Sequence, residues 1–160
     1  MRPSPGTKPA VATEQLNYRA ATPADWPAIA ALLESQQLPT AGADVHLADF
    51  IVAETGGTLA GCIGMERHGR SALLRSAAVA SALHGHGIGG QLVTRLLDAA
   101  QRAGINDVAL LTTTAESYFA KRGFRPVPRE ELAPVFGESA EMRGACPASA
   151  IAMRRSLRPI

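Results

Sequence analysis

The residues His84-Gly85-His86-Gly87-Ile88-Gly89-Gly90 form the most chemically suggestive stretch of the chain. Closely spaced glycines let main-chain N–H groups converge on one concavity. Any helix that follows adds its unpaired first-turn donors and the positive end of its dipole. Such a loop suits an anion, although glycine runs also make ordinary turns. Arg75 is the second unusual residue, because it interrupts the small and apolar run Leu73-Leu74-Arg75-Ser76-Ala77-Ala78-Val79. A guanidinium in a mostly buried strand needs an anionic partner. The favoured partner is a substrate carboxylate held bidentately, which makes Arg75 and Ser76 the candidate substrate-binding residues; the alternative is an internal carboxylate. His84 and His86 lack a third ligand nearby, so no metal is expected. Cys62 and Cys146 are the only cysteines and lie far apart, which gives neither a disulfide framework nor a thiolate cluster.

Positioning these residues requires a strand before the glycine loop and a helix after it, and the pattern supplies both. Leu92, Val93, Leu96, Leu97 and Ala100 recur at helical spacing, and Gly104 stands where that helix should stop. Upstream, strand-like Phe50–Glu54 and Leu59–Arg67 flank Thr55-Gly56-Gly57-Thr58, a tight-turn sequence. A second turn at His68-Gly69-Arg70 leads into a third strand, Leu73–Val79. If that turn sets Glu66 opposite Leu73, Glu66 and Arg75 share a face of the sheet, whereas a slip of one residue separates them. Earlier, Leu16–Arg19 reads as a short strand. Thr22-Pro23-Ala24-Asp25 reads as a helix start, with Trp26, Ile29, Leu32 and Leu33 on the buried face. Gln36–Asp44 reads as a loop with a helical turn near Val45–Leu47; Leu38-Pro39 and Asp44 could form a lid over a substrate, but an ordinary surface loop is the favoured reading. Later come a short strand at Val108–Leu111, a short helix at Ala115–Arg122 closed by Gly123, a strand opened by Phe124 and a last strand at Ile151–Met153.

The chain has 160 residues, enough for one domain with a sizeable core. Residues 1–14 contain three prolines among small polar residues and are expected to form a mobile tail, with a single domain over residues 15–158. The formal charge of +2 comes from interspersed acids and bases, which argues against a nucleic-acid track or a membrane-binding basic surface. No apolar run approaches a membrane span or a secretory leader, and two unpaired cysteines suit a reducing compartment. A soluble, cytoplasmic protein is expected.

The Val79-ended strand followed by His84 through Gly90 resembles the pyrophosphate-binding motif of the GNAT acetyltransferases. Gly87 and Gly89 stand at its paired small positions, His84 stands where Arg or Gln is usual, and Ser81 where Pro is common. Ala115-Glu116-Ser117-Tyr118-Phe119-Ala120-Lys121-Arg122-Gly123-Phe124 is similar to the family's second signature, a helix ending in Gly-Phe. With the preceding meander, the resemblance covers about Leu16 to Leu157. It implies an α/β fold with a central, mostly antiparallel twisted sheet, splayed between the fourth and fifth strands and flanked by helices. It also implies an acyl-CoA-dependent N-acetyltransferase with acetyl-CoA as cosubstrate, a small-molecule amine as acceptor, and no metal. A homodimer through the last strand or a sheet edge is left open.

On this resemblance, acetyl-CoA would lie in the splay. Its pyrophosphate would meet His84, Gly85, His86, Gly87, Ile88, Gly89 and Gly90, its pantetheine arm would meet Ala77, Ala78 and Val79, and Ser117 would flank the thiol end. Glu66 is the candidate base for the amine. The family's general-acid Tyr would fall at Phe119, because the order here is Tyr118-Phe119, so Tyr118 is a weaker candidate acid. The run around Arg75 and Ala145-Cys146-Pro147-Ala148-Ser149-Ala150 resemble the arsenic-resistance-linked N-acetyltransferase branch, related to short N-acetylglutamate synthases. This implies an amino-acid acceptor, glutamate or an arsenic- or phosphorus-containing analogue. Two other readings compete: a CoA-binding regulatory module that has lost its chemistry, suggested by Phe119, and a metalloid-binding protein, disfavoured by two distant thiols.

Overall fold

A computed structural model describes residues 16–157; the expected tail at 1–14 lies outside them. A seven-stranded sheet runs in the order β1-β2-β3-β4-β5-β7-β6. Its strands are β1 (Asn17–Ala20), β2 (Phe50–Thr55), β3 (Thr58–His68), β4 (Ser71–Val79), β5 (Asp107–Thr112), β6 (Arg125–Val127) and β7 (Ile151–Ser156). All neighbours are antiparallel except β4 and β5, which pair in parallel only from Ser71–Leu73 to Asp107–Ala109. Beyond those three pairs the two strands part. The sheet is thus mixed and splayed where the resemblance implied.

The helices are α1 (Trp26–Ser35), α2 (Ile88–Arg102), α3 (Glu116–Ala120) and α4 (Ala133–Phe136). Asp25 reaches back to the Thr22 N–H at 2.7 Å, so the expected start signal operates, with one 3-10 turn at Pro23–Asp25 before α1. Helix α2 buries Ile88, Leu92, Val93, Leu96 and Ala100 against one face of the sheet. Burial contributes about 1.5–3 kcal/mol for each large aliphatic side chain, so this stripe anchors the glycine loop that precedes it. Helix α1 covers the opposite face with Ile29 and Leu33 packed around Phe50, Val52 and Cys62. A methyl on Gly64 would overlap the Phe50 ring, which explains a glycine inside a buried strand.

Strand β4 carries the feature that shapes the site. Cys62 pairs with Ala78 but Gly64 pairs with Arg75, so two steps on β3 face three on β4. This is a β-bulge, and Ser76 stands in it at φ 61. The extra residue reverses the alternation. Ala72 and Leu74 join the α2 core, Leu73 joins a third cluster with Phe136 and Leu132, and beyond the bulge Ala78 packs with α1. The region between β6 and β7, which the periodicity left unassigned, forms a turn at Arg129–Glu131, helix α4 and a wide turn over Glu141–Ala145.

Candidate active site

Two cavities meet in the splay. The outer cleft, of about 570 Å³, is lined by Ala77 to Val79, by His84 and Gly85, and by Gly87 to Gly90, with Tyr118, Phe119 and Arg122 opposite. Nine of the residues assigned to the cofactor therefore share one cleft. His86 and Ser117 are not on its wall. Gly87, at φ 79, turns the chain into α2, and the first bond of that ladder runs from the Gln91 N–H to the Gly87 carbonyl at 3.1 Å. The amides of Ile88, Gly89 and Gly90 thus precede the ladder and belong to the helix's donor-rich mouth.

Both histidines of the loop serve its own backbone. His84 Nε2 donates to the Val79 carbonyl at 2.8 Å and His86 Nδ1 to the Leu83 carbonyl at 3.1 Å. The Gln36 side chain also donates to the Val79 carbonyl, at 2.5 Å, tying the end of α1 to the rim. Arg122 was not singled out in the sequence. Its guanidinium carbon lies 3.8 Å from the Tyr118 ring centroid, and a methyl on Gly90 would come within 2.8 Å of its Nη2. A cation therefore stands over the mouth of α2. The Tyr118 hydroxyl points to the same place, 3.5 Å from where a methyl on Gly89 would sit, so it belongs to the outer cleft.

The inner cavity, of about 200 Å³, is walled by Arg75, Ser76, Thr112 to Thr114, Glu141 and Cys146, with Leu38 and Pro39 closing it. Ala77, Ala115 and Phe119 line both cavities and form the partition between them. Phe119 is 6% exposed.

Glu66 lies opposite Leu73, as the turn at His68-Gly69 was expected to set it, and so shares a face with Arg75. The Arg75 Nη1 donates to Glu66 at 2.7 Å, Nη2 to the Pro39 carbonyl at 3.3 Å and Nε to the Ser76 hydroxyl at 3.0 Å. Nε also lies 3.4 Å from Glu141. Of the two partners considered for this guanidinium, the structure holds the internal one, and its side chain is 0% exposed. Ser76, also on the cavity wall, spends its hydroxyl on Arg75, and Glu66 is not among the residues lining either cavity.

The two carboxylates differ in character. Burial acts to raise Glu66, but hydrogen bonds from Arg75, Ser139 and His68 outweigh it and hold the carboxyl below its ordinary range. Burial pushes Glu141 up to about 7; Arg75 opposes this and the nearby Glu66 charge adds to it. The Cys146 thiol shares a hydrogen bond with Glu141, and burial together with that carboxylate pushes it up to about 12. Nothing in the periodicity pointed to Glu141, since it sits in an irregular segment. No group of three His, Cys, Asp or Glu that could hold a metal occurs among the described residues, and no helix there is long and apolar enough to cross a membrane.

A glycine loop at a helix mouth opens off a splayed mixed sheet, the arrangement that the resemblance to the GNAT acetyltransferases implied. The acetyltransferase (GNAT) domain family model matches residues 46–126, about half of the chain, and the chain belongs to that family. An amino-acid acetyltransferase of Neisseria meningitidis is 28% identical over 89 residues, 54% of this chain but 20% of that protein. N-acetylglutamate synthase from Neisseria gonorrhoeae, solved with coenzyme A and N-acetyl-glutamate, superposes with a TM-score of 0.77 at 25% identity, covering 90% of this chain and 35% of that one. Rv2747 from Mycobacterium tuberculosis, solved with CoA, shares the fold at a TM-score of 0.72 and 24% identity, covering 89% of this chain and 99% of that one. The chain thus spans about a fifth of the curated relatives it matches and about a third of the synthase structure.

Proposed function

We propose that this domain transfers the acetyl group of acetyl-CoA to the α-amine of a small amino acid or amino-acid analogue. One observation carries the reading: a cleft lined by a glycine loop abuts a small cavity that carries Arg75, Glu141 and several hydroxyls, through the Ala77, Ala115 and Phe119 partition. The residues of the outer cleft suit a nucleotide thioester. Main-chain donors at the mouth of α2 and the overlying Arg122 would hold its pyrophosphate, and the β4 edge past the bulge would receive its arm. The bound thioester supplies an activated acetyl group. The inner cavity, of about 200 Å³, is large enough for a small amino acid and offers the hydroxyls of Ser76 and Thr112 to Thr114.

The acceptor class follows from size and polarity, and the amino-acid substrates of the similar proteins support it. Within it, the arsenic-resistance-linked resemblance favours glutamate or an arsenic- or phosphorus-containing analogue. Among the candidate residues, Arg75 already donates through Nη1, Nη2 and Nε, so a substrate carboxylate would share its Nη donors with Glu66 and Pro39, and Glu66 acts through Arg75. We place Tyr118 with the cofactor, because its hydroxyl faces α2. Screening glutamate, phosphinothricin-like and arsinothricin-like amines for thiol release tests the proposal. Heat on mixing with CoA but no acetylation of any α-amine would instead favour a binding module, the reading that Phe119 suggests.

A further inference from the structure

Resting on the acetyl-transfer reading, we infer that Glu141 is the group that takes the proton from the incoming ammonium. Three observations place it there. Of the two carboxylates in the buried cluster, only Glu141 lines the inner cavity. It shares the lining of that cavity with Ala77, Ala115 and Phe119, the partition across which an acyl group would be delivered.

The charge balance points the same way. One guanidinium faces two acids, and Glu66 holds the closer contact, 2.7 Å against 3.4 Å, with His68 at 3.2 Å and His46 at 3.9 Å on its other side. Glu141 is left as the under-compensated member, 3% exposed, with Arg75 and Glu66 facing it from the sheet and Cys146 from its own segment. An ammonium entering the cavity supplies the missing cation, so this wall selects for an amine. The Cys146 thiol stays protonated across the working range and serves as a donor that orients the carboxyl.

The step balances without another reactant. The ammonium N–H proton passes to Glu141, and the freed lone pair forms the N–C bond to the acetyl carbon as the C–S bond breaks. The sulfur leaves with the electron pair and takes up, through water, the second proton that the nitrogen sheds as it becomes an amide, while Glu141 releases the first proton to solvent. Glu141 begins and ends ionised. Its proton affinity, near neutrality, suits both halves of this exchange.

The test is the pH dependence of kcat/KM from about pH 5.5 to 9.5 for the wild type and Glu141→Gln, with an α-amino acid acceptor. The wild type should show an acid limb bending near 7, and Glu141→Gln should lose about 100-fold or more at neutral pH. The variant should recover as pH approaches the acceptor amine's own pKa, while binding CoA normally by calorimetry. A variant that turns over like the wild type overturns the inference and leaves the acetyl-transfer reading standing. If the variant fails to bind CoA, the wild-type profile decides: a rate that follows the amine's ionisation alone, without the bend near 7, overturns it. No turnover of any amine by the wild type sinks both readings.

Discussion

Replacing Glu141 with Gln should flatten the dependence of folding stability on pH, and the structure sets the size of the change. The Glu141 carboxyl is raised from the ordinary 4.5 to about 7, chiefly by burial. A carboxyl raised in the folded state binds its proton more tightly there than in the unfolded chain. Its contribution is therefore fully present below about pH 4.5 and is lost as pH rises through about 7. At about 1.4 kcal/mol for each pH unit between those limits, the loss is about 3 kcal/mol. Gln keeps the shape and stays neutral, so the variant escapes this loss. Urea unfolding at about pH 4.5, 6 and 8 gives the difference in stability between variant and wild type at each pH. Titrations common to both proteins cancel in it. The variant should gain on the wild type by about 3 kcal/mol from the lowest to the highest pH. A difference that stays constant within about 0.5 kcal/mol would refute the assignment of an under-compensated carboxyl at this position.

Arg75→Ala leaves two acids buried together, 1% and 3% exposed, without their cation, and should cost about 3–5 kcal/mol in chemical unfolding. A variant as stable as the wild type would remove the structural role assigned to the pair. Arg122→Ala should weaken CoA binding by about 5- to 30-fold, the equivalent of about 1–2 kcal/mol, and make that binding less sensitive to salt. Calorimetry at two ionic strengths reads both effects, and an unchanged affinity would place Arg122 outside the phosphate-binding surface.

The outer cleft was legible because its parts obey short-range rules. Glycine spacing, a helix with a clear 3.6-residue stripe and a turn that fixes register are local, so the loop, α2 and the Glu66–Leu73 pairing could all be expected from the chain. The inner cavity was less legible because its chemistry depends on distant segments. The nearer acid on Arg75, Glu66, follows from the turn register, but the second, Glu141, is 66 positions away and lies in a turn with no periodicity. Arg122 raised no signal of its own, because an arginine four residues after a tyrosine is unremarkable until the tyrosine is known to face the glycine loop. The roles of the loop histidines were not legible either: both imidazoles bond the loop's own backbone, and His84 also lines the outer cleft.

The bulge at Ser76 explains why one strand can serve both chambers. A regular β4 would send Arg75, Ala77 and Val79 to a single face, placing the guanidinium in line with the arm-binding edge. With one residue added, Arg75 stays on the Leu73 face with the acids, while Ala77 turns to the partition and Val79 to the α2 side. The left-handed backbone at Ser76 costs on the order of 1–3 kcal/mol, because its side chain is not glycine. Two local bonds offset it: the Ser76 hydroxyl accepts from Arg75 and its carbonyl accepts from the Cys62 thiol. The acid cluster and the distorted backbone therefore depend on the same side chain, Arg75, which couples the charge of the inner chamber to the wall of the outer one.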